Sequence, residues 1–402
     1  MVTTAEEKPR LGEPGHLGFL DGVRGLAAFW VVVGHSMIFG GWYWVKFPEP
    51  VIAVDVFMFV SGYLMVHQWT RRVGTGADWN RTAALEFWVR RFFRIAPVYF
   101  LCLGWMFANW QSLTEGLKAL QAANPERWAG QAAYDPSNWD GGLVNGVLRF
   151  TFLFGLIPSY AVTSFTGDWS LSLEMQFYAA FPFTVMALRR WGPAPVAWTA
   201  VLMALFVREA SLRLQAYFPG TMLIFPLPSL LFLKLPVFLV GMIVADVNRR
   251  QAEGPRGNGL ELVLALVVAA MSSWYIVAVA ALAIFLVAPA TGLAPGTRRW
   301  QERLSKALGN RLMRFLADAS YSVYLFHSLV IPLAGGWLLR QAWFTSMPGR
   351  TRVIVLLGVV LGITYPLALV LHQVVERPGI EWGRRLALRL RNSRVDGPKR
   401  RL

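Results

Sequence analysis

The chain has 402 residues, of which 55% are hydrophobic and only 15% charged, whereas soluble domains carry about 25% charged residues. Its net charge of +16 does not indicate nucleic-acid binding, because Lys and Arg collect in the cytoplasmic loops of membrane proteins. A single cysteine, Cys102, excludes an internal disulfide. We therefore expect an all-α, polytopic transmembrane bundle in a lipid bilayer, with no nucleic-acid partner and no permanently bound metal or cofactor.

The first 18 residues are polar and mixed in charge, without the basic start and short apolar core of a cleaved signal peptide. We therefore predict a cytoplasmic N-terminal segment at 1–18, a membrane domain at 19–376 and a basic cytoplasmic tail at 377–402. Within the membrane domain, apolar runs long enough to cross a bilayer predict ten spans. These are 19–40, 51–69, 95–112, 170–188, 194–209, 222–246, 259–274, 276–290, 316–339 and 352–375.

An eleventh apolar run, 143–160, is shorter and contains Arg149 and Pro158. If it does not cross, 28 of the 39 Lys and Arg fall on one side of the membrane and 8 on the other. If it crosses, that bias largely cancels, against the positive-inside rule. The charge distribution thus predicts that 143–160 is re-entrant or lies at the surface, and that both termini are cytoplasmic.

The first span, within LDGVRGLAAFWVVVGHS (20–36), carries Arg24 and His35 eleven residues apart. This spacing places them about 20° apart around the helix and about 16 Å apart along it. Asp21 lies one turn before Arg24 and is expected to orient it. Ionisable groups inside a membrane indicate function, but a structural Asp–Arg pair beside an unrelated histidine explains the spacing equally well.

Two further segments place charges near the ends of spans. Asp55, in VDVFMFVSGYLM (54–65), enters from the outer side at about the depth of His35, where it serves equally well as a helix cap. The loop ending in FWVRRFFRIAPVY (87–99) gathers Arg90, Arg91 and Arg94 at the cytoplasmic mouth. Arginines suit anions with phosphate geometry, although ordinary positive-inside charge also accounts for them.

In GDWSLSLEMQFYAAFP (167–182), Glu174 is expected near the depth of His35, where the two suit a general acid/base pair. Lys234, before the kinking Pro236, is another charge in the membrane. The segment ASYSVYLFH adds weaker polar candidates, and its histidine, His327, is more typical of a packing residue. These candidates are Ser320, Tyr321, Tyr324 and His327.

The predicted arginines lie at the cytoplasmic side, and the imidazole and carboxylate lie farther toward the outer side. This arrangement suits an acyl-donor molecule with a phosphate-rich head and a long, thin chain. Coenzyme A thioesters have this shape, and the acceptor would then approach from the outer side. A proton-coupled secondary transporter also buries His, Arg and Glu, but the sequence shows no internal repeat with paired broken helices. A purely structural scaffold does not explain so many intramembrane charges.

These motifs, in this order, resemble the integral-membrane acyltransferase family 3, whose members O-acylate surface glycans and some small molecules. The resemblance rests on the basic-x10-His spacing, VDVFMFVSGYL, RRFFRIAPVY, DWSLSLEMQFY, LKLPVFLVGM, ASYSVYLFH and ERPGIEWGRR. The chain departs from the family pattern at Lys234, where an arginine is frequent, and at Val237, where an acidic residue is frequent. It also shows no match to the soluble hydrolase-like domain that some members append.

The resemblance implies a membrane-embedded O-acyltransferase that moves an acyl group, with acetyl as the expected one, from cytoplasmic acyl-CoA to a glycan or glycolipid hydroxyl. It implies that His35 and Glu174 are catalytic and that Arg24, Arg91 and Arg94 handle the donor. Whether His35 acts as a general base or carries the acyl group stays open. Supporting residues from the same motifs are Asp21, Asp55, Tyr99, Trp169, Tyr178 and Lys234.

Overall fold

The computed structural model of the chain describes residues 18–42, 49–76, 78–131, 134–139, 141–219, 221–253, 259–288 and 294–395. The described residues are overwhelmingly α-helical and contain no strand. The helices are α1 (Gly18–Gly40), α2 (Pro50–Val73), α3 (Arg81–Ala108), α4 (Trp110–Ala122), α5 (Pro125–Trp128), α6 (Leu143–Phe150), α7 (Trp169–Trp191), α8 (Pro193–Tyr217), α9 (Leu231–Glu253), α10 (Gly259–Ser272), α11 (Trp274–Val287), α12 (Pro295–Leu308), α13 (Arg311–Leu339), α14 (Ala342–Thr345), α15 (Gly349–Leu371) and α16 (Arg377–Val395). The predicted segment before Gly18 and the last residues of the predicted tail lie outside the described part of the chain.

The predicted polytopic helical bundle is confirmed. Eight stretches of helix are long and apolar enough to cross a membrane, and the last continues from α15 through a π-helical turn, His372–Glu376, into α16. They coincide with eight of the ten predicted spans. The other two predicted spans correspond to the shorter helices α10 and α11, of 14 residues each.

Helices α10 and α11 form a hairpin that turns at Ser273, where the backbone is extended. At the start of α10, Glu261 forms an ion pair with Arg250 of α9. At the start of α11, the Tyr275 hydroxyl donates a hydrogen bond to Asp55, near the start of α2. The two ends of α10 therefore face opposite ends of the bundle, although each helix is only about 21 Å long.

Segment 143–160 does not span the bundle, in agreement with the charge argument. Helix α6 has only eight residues, about 12 Å in length. It is followed by two short 3-10 turns, Phe154–Leu156 and Pro158–Tyr160. The segment leads directly into the start of α7 and positions that helix.

Two predicted boundaries were wrong by several residues. The sixth span begins at Leu231 rather than at 222, because Pro226 and Pro228 cannot donate the backbone hydrogen bonds of a helix. The arginines expected in a loop before the third span instead lie on α3, which begins at Arg81 and is capped by the Asn80 side chain. The donor-handling arginines are therefore held by a helix rather than by a loop.

The core of the bundle is built where helices pack almost backbone to backbone. Helix α1 packs along α13, and α2 along α9. A Cβ atom on Gly62 of α2 would lie 2.2 Å from the carbonyl oxygen of Phe238, and one on Gly241 of α9 would lie 2.1 Å from that of Phe59. Small residues that permit such approach are typical of membrane helix interfaces.

The first part of the predicted basic tail is helical. Helix α16 packs along α3, and Gly383 faces the side chain of Phe93 there. The described part of this segment thus belongs to the packed bundle.

Candidate active site

Among the described residues, most of the predicted site residues line one or the other of two neighbouring cavities. The first, which we call the arginine cavity, has a volume of about 150 Å³. The second, the histidine cavity, has a volume of about 290 Å³. The polar residues of the arginine cavity are Arg24, Ser61, Gln68, Arg91, Arg94, Ser170, Glu174, Tyr178, Ser320, Tyr321 and Tyr324.

Arg24 enters the arginine cavity from α1. Its Nη2 lies 3.6 Å from Asp21 Oδ1, one turn earlier, and donates a hydrogen bond of 3.1 Å to the carbonyl oxygen of Ala317 on α13. Asp21 therefore lies beside Arg24, where the spacing of one turn had placed it. The two contacts hold the guanidinium between α1 and α13.

Arg91 and Arg94 enter the same cavity from one face of α3. Arg91 donates a hydrogen bond to the Gln68 side chain, and its guanidinium lies 5.5 Å from the ring of Phe87 and 5.7 Å from that of Tyr178. Arginine stacks well on aromatic faces while its N–H groups stay directed outward. The cavity therefore brings together three guanidinium groups that come from two distant helices.

Glu174 also lines the arginine cavity, and this corrects its expected position beside His35. Its Oε1 accepts hydrogen bonds from the hydroxyls of Tyr178 and of Ser61, the latter at 3.2 Å. The error has a physical reason: α7 begins inside the protein, since Asp168 is 1% exposed and Trp169 7%. Counting depth from Trp169 as if it lay at the membrane surface placed Glu174 too far outward.

His35 lies in the histidine cavity, and its partner is a second histidine. His35 Nδ1 and His327 Nε2 are 2.8 Å apart, and the rings stack at an interplanar angle of 10°. His327 Nδ1 lies 3.0 Å from the carbonyl oxygen of Val323, which can only accept a hydrogen bond. The expectation that His327 is a packing residue is therefore incomplete, since it contacts the predicted catalytic residue.

These contacts assign the tautomers of the two neutral rings. His327 carries its proton on Nδ1 and accepts through Nε2, so His35 Nδ1 must carry a proton and donate it. His35 Nε2 is then left with a free lone pair and has no hydrogen-bond partner among the described residues. An imidazole in this state can accept a proton from a molecule bound in the cavity.

The rest of the histidine cavity is lined by aliphatic side chains together with polar groups and broad aromatic rings. The polar and aromatic residues are Phe39, Glu49, Gln121, Arg127, Trp128, Gln131, Tyr134, Trp139, Ser164, Phe165, Thr166, Trp169, Tyr324 and Ser328. Burial raises the pKa of the Tyr134 hydroxyl, which therefore stays a hydrogen-bond donor at neutral pH. Gly167 lies against the catalytic candidate, since a Cβ added there would be 4.0 Å from His35 Cε1.

Segment 163–168, which forms this wall, is anchored by a buried charge cluster. Arg149 and Asp168 are 0% and 1% exposed, and Arg149 Nη1 lies 2.8 and 2.7 Å from the two carboxylate oxygens. Tyr99 donates to Asp168 at 2.8 Å, and Arg149 also donates to Asn145 and to Thr163. The predicted supporting role of Tyr99 thus runs through Asp168, a partner that the sequence reasoning did not single out.

Asp55 and Lys234 lie outside both cavity walls and contact each other. Lys234 Nζ lies 2.7 Å from Asp55 Oδ1, and Tyr275 adds a hydrogen bond of 3.3 Å to Oδ2. The alternative that Asp55 caps the helix was wrong, because α2 begins at Pro50 and Asp55 lies inside it, where it is 1% exposed and paired with Lys234. The pair joins α2 to α9 beside the cavities.

A family model described as an acyltransferase domain, that of acyltransferase family 3, matches residues 17–370. The chain belongs to this family. The match includes both cavities and all the predicted site residues, which lie between Asp21 and Lys234. No solved structure gives a significant match.

Curated relatives of the chain are acyltransferases. Acyltransferase MdmB of Streptomyces mycarofaciens is 26% identical over 347 residues, 81% of this chain and 80% of that protein. Peptidoglycan O-acetyltransferase OatA of Listeria monocytogenes is 27% identical over 343 residues, 78% of this chain and 49% of its own length. O-acetyltransferase OatA of Staphylococcus aureus is 23% identical, over 82% of this chain and 53% of its own. The chain thus spans about half the length of the two OatA proteins.

Family membership makes the chain an integral membrane acyltransferase. The cavity geometry then shows which polar residues of this member are available to bind a ligand and which are already paired. Arg24, Arg91 and Arg94 face a cavity, whereas Arg149 and Asp168 are enclosed. Glu174 belongs with the arginines, and His35 stands apart from them with His327.

Proposed function

We propose that this protein moves an acetyl group from acyl-CoA to a hydroxyl of a glycan or glycolipid, with His35 as the general base. The observation that carries the proposal is the His35–His327 pair, which fixes one imidazole nitrogen and leaves the other open to a large cavity. Family membership supplies the acyl transfer. The donor, the acceptor and the role of the histidine belong to the proposal.

The arginine cavity is the proposed donor site. Coenzyme A carries several phosphate charges at one end, and guanidinium groups pair with phosphate through two hydrogen bonds at once. Arg24, Arg91 and Arg94 present such donors from two helices, and Glu174 with Tyr178 fixes the wall beside Arg91. In this proposal Glu174 acts on the donor side by orienting the arginine cavity, rather than by polarising His35.

In the proposed reaction, His35 Nε2 removes the proton of the acceptor hydroxyl while that oxygen attacks the thioester carbonyl carbon. A new C–O ester bond forms, the C–S bond breaks, and the leaving thiolate takes the proton from the imidazolium. The products are an ester and free coenzyme A, so atoms and charge balance. His327 stabilises the imidazolium through its Nε2, which accepts from His35 Nδ1.

The histidine cavity is the proposed acceptor site. Its wall combines flat indole faces, among them Trp128, Trp139 and Trp169, with amide and hydroxyl side chains. Flat rings that pack against apolar faces and polar groups that pair with hydroxyls suit a sugar. Two of the relatives are named as O-acetyltransferases, one of them for peptidoglycan, which supports a glycan acceptor.

The positive-inside bias supports an orientation with both termini in the cytoplasm, and the bacterial origin of the relatives supports a plasma membrane location. Arg24 lies near the start of α1 and His35 toward its end. With that orientation, the arginine cavity meets cytoplasmic acyl-CoA and the histidine cavity meets an acceptor from the outer side.

The decisive experiment uses purified protein in nanodiscs with labelled acetyl-CoA and a glycan oligosaccharide. We expect His35→Ala to lower transfer by about 10²–10⁴-fold, the usual contribution of a general base. His327→Ala should lower it less, because the base itself remains. The matched control is His67→Ala, a histidine of α2 that lines neither cavity.

Full transfer by His35→Ala would contradict the assignment. A protein that instead moved a solute into liposomes without consuming thioester would be the secondary transporter considered from the sequence. Rapid quenching of protein with labelled donor and no acceptor separates the two roles of His35, since label on the protein would show an acyl-histidine.

A further inference from the structure

The two cavities meet at one aromatic side chain. Tyr324 of α13 and Val54 of α2 line both the arginine cavity and the histidine cavity. The Tyr324 ring lies 6.0 Å from the ring of His327 on one side and 6.0 Å from that of Phe57 on the other. The ring therefore occupies the boundary between the two spaces.

The hydroxyl of Tyr324 is held in place by two groups at the start of α7. It donates a hydrogen bond to the carbonyl oxygen of Gly167, and its oxygen lies 2.6 Å from Ser170 Oγ. Because the single Tyr324 proton goes to the carbonyl, the Ser170 hydroxyl must be the donor of the second bond. Gly167 lines the histidine cavity and Ser170 lines the arginine cavity. We call these two hydrogen bonds of the Tyr324 hydroxyl the latch, and it joins the walls of both cavities.

We propose that Tyr324 is a specificity-determining residue: its latched ring separates donor from acceptor and limits which acyl group reaches His35. This inference rests on the proposed function, because it takes the arginine cavity as the donor site. An acyl group that starts beside Arg91 must pass between Tyr324 and Val54 to reach His35. A short acetyl group needs little displacement of the ring, and each added methylene needs more.

The same barrier keeps water of the acceptor side away from the thioester. In its absence, water in the histidine cavity would reach the bound donor and compete with the acceptor hydroxyl. Closed sites protect reactive intermediates from hydrolysis in this way. Loss of the ring is thus expected to raise thioester hydrolysis as well as tolerance of longer acyl groups.

The first test measures the barrier without any reference to catalysis. Cys102, the sole cysteine, is buried and is replaced by alanine to give a clean background. In that background, Ser61→Cys places a thiol in the arginine cavity, and a membrane-impermeant thiol reagent is applied from the histidine-cavity side. We expect protection with Tyr324 present, and loss of protection in Tyr324→Ala.

Gln131→Cys, an exposed position on the histidine cavity, is the matched control and should label equally in both backgrounds. Equal labelling there shows that the reagent is equally active in both backgrounds, and an unchanged midpoint of thermal unfolding in detergent shows that Tyr324→Ala is folded. Tyr324→Phe keeps the ring but loses the latch, and we expect intermediate protection. Rapid labelling of Ser61→Cys with Tyr324 intact would overturn the proposal, as would unchanged protection in Tyr324→Ala.

The second test compares acetyl-CoA with butyryl-CoA as donors. One methylene in a fitted site changes selectivity by about 10-fold or more, so Tyr324→Ala should raise the butyryl-to-acetyl ratio of kcat/KM by at least about that factor. An unchanged ratio would overturn the selectivity role. If the unaltered protein transfers neither acyl group, the proposed function fails, while the labelling result still decides whether Tyr324 separates the cavities.

Discussion

Two polar clusters of this protein, one around the buried Arg149 and one around the partly exposed Arg91, use the same guanidinium chemistry in opposite ways. All five N–H groups of Arg149 have acceptors, in Asn145, Asp168, Tyr160 and Thr163, and the side chain is 0% exposed. Arg91, by contrast, donates one hydrogen bond to Gln68 and faces the arginine cavity. A guanidinium with every donor satisfied holds the fold, whereas one with donors to spare can bind an anion.

The difference shows why intramembrane charge alone does not identify a binding site. Arg149 and Arg24 both lie in apolar runs of the sequence, and both are costly there. The two arginines differ in whether their guanidinium groups are enclosed by hydrogen-bond acceptors, as in Arg149, or face a cavity, as in Arg24. That distinction predicts loss of stability in one cluster and loss of donor affinity in the other.

The largest expected effect is on the closed cluster. Arg149→Met leaves the Asp168 carboxylate buried without its cation, and removing one partner of a buried pair costs about 3–5 kcal/mol. We expect the midpoint of thermal or chemical unfolding in detergent to fall accordingly. Arg149→Met combined with Asp168→Leu should recover part of the loss, and a single variant of unchanged stability would refute the structural role.

The arginine cavity should respond in the opposite way. Hydrogen bonds to charged groups contribute about 1.5–3 kcal/mol each, so Arg91→Ala or Arg94→Ala should raise the KM for acyl-CoA by about 10–100-fold. Stability should hardly change. Arg90→Ala is the matched control, since Arg90 lies on the same helix, pairs with Glu86 and lines neither cavity. An equal rise in KM for all three variants would argue for general charge attraction instead.

The smallest effect is expected at an exposed pair. Arg213 and Glu209 lie 2.7 Å apart on α8, but their side chains are 74% and 57% exposed. Exposed pairs of this spacing contribute at most about 0.5 kcal/mol. Arg213→Ala should therefore leave both the free energy of unfolding and the rate of acyl transfer unchanged. A large effect on either would show that the short distance of an ion pair matters more for its contribution than its burial does.

Much of the fold was predictable, because apolar run length and the sidedness of charge are properties of the sequence itself. The ten predicted spans match eight long helices and the α10–α11 hairpin, and 143–160 does not cross. The spacing of Arg24 and His35 correctly placed them toward opposite ends of one helix. Helical periodicity gives the face and depth of a residue, which is why these predictions succeeded.

The same reasoning failed wherever a residue's partner comes from a distant segment. His327 is 292 residues from His35, and no local pattern joins them. The depth of Glu174 was misjudged because α7 begins beneath the folded segment 143–168, not at the membrane surface. Arg149 could have been singled out as a charge in an apolar run. Its partner Asp168 could not, because an aspartate directly before a helix is typical of an ordinary N-cap.

The close contacts of Gly62 with Phe238 and of Gly241 with Phe59 have a mechanical consequence. Because α2 and α9 touch through their backbones at these glycines and are also joined by the Asp55–Lys234 ion pair, we expect them to form a stiff unit. Ser61, Phe238 and Val54 of the arginine cavity are carried by this unit. Expansion of this cavity to admit a bulky molecule is therefore expected to come from the other helices that line it, α1, α3, α7 and α13, with the α2–α9 pair as the fixed side.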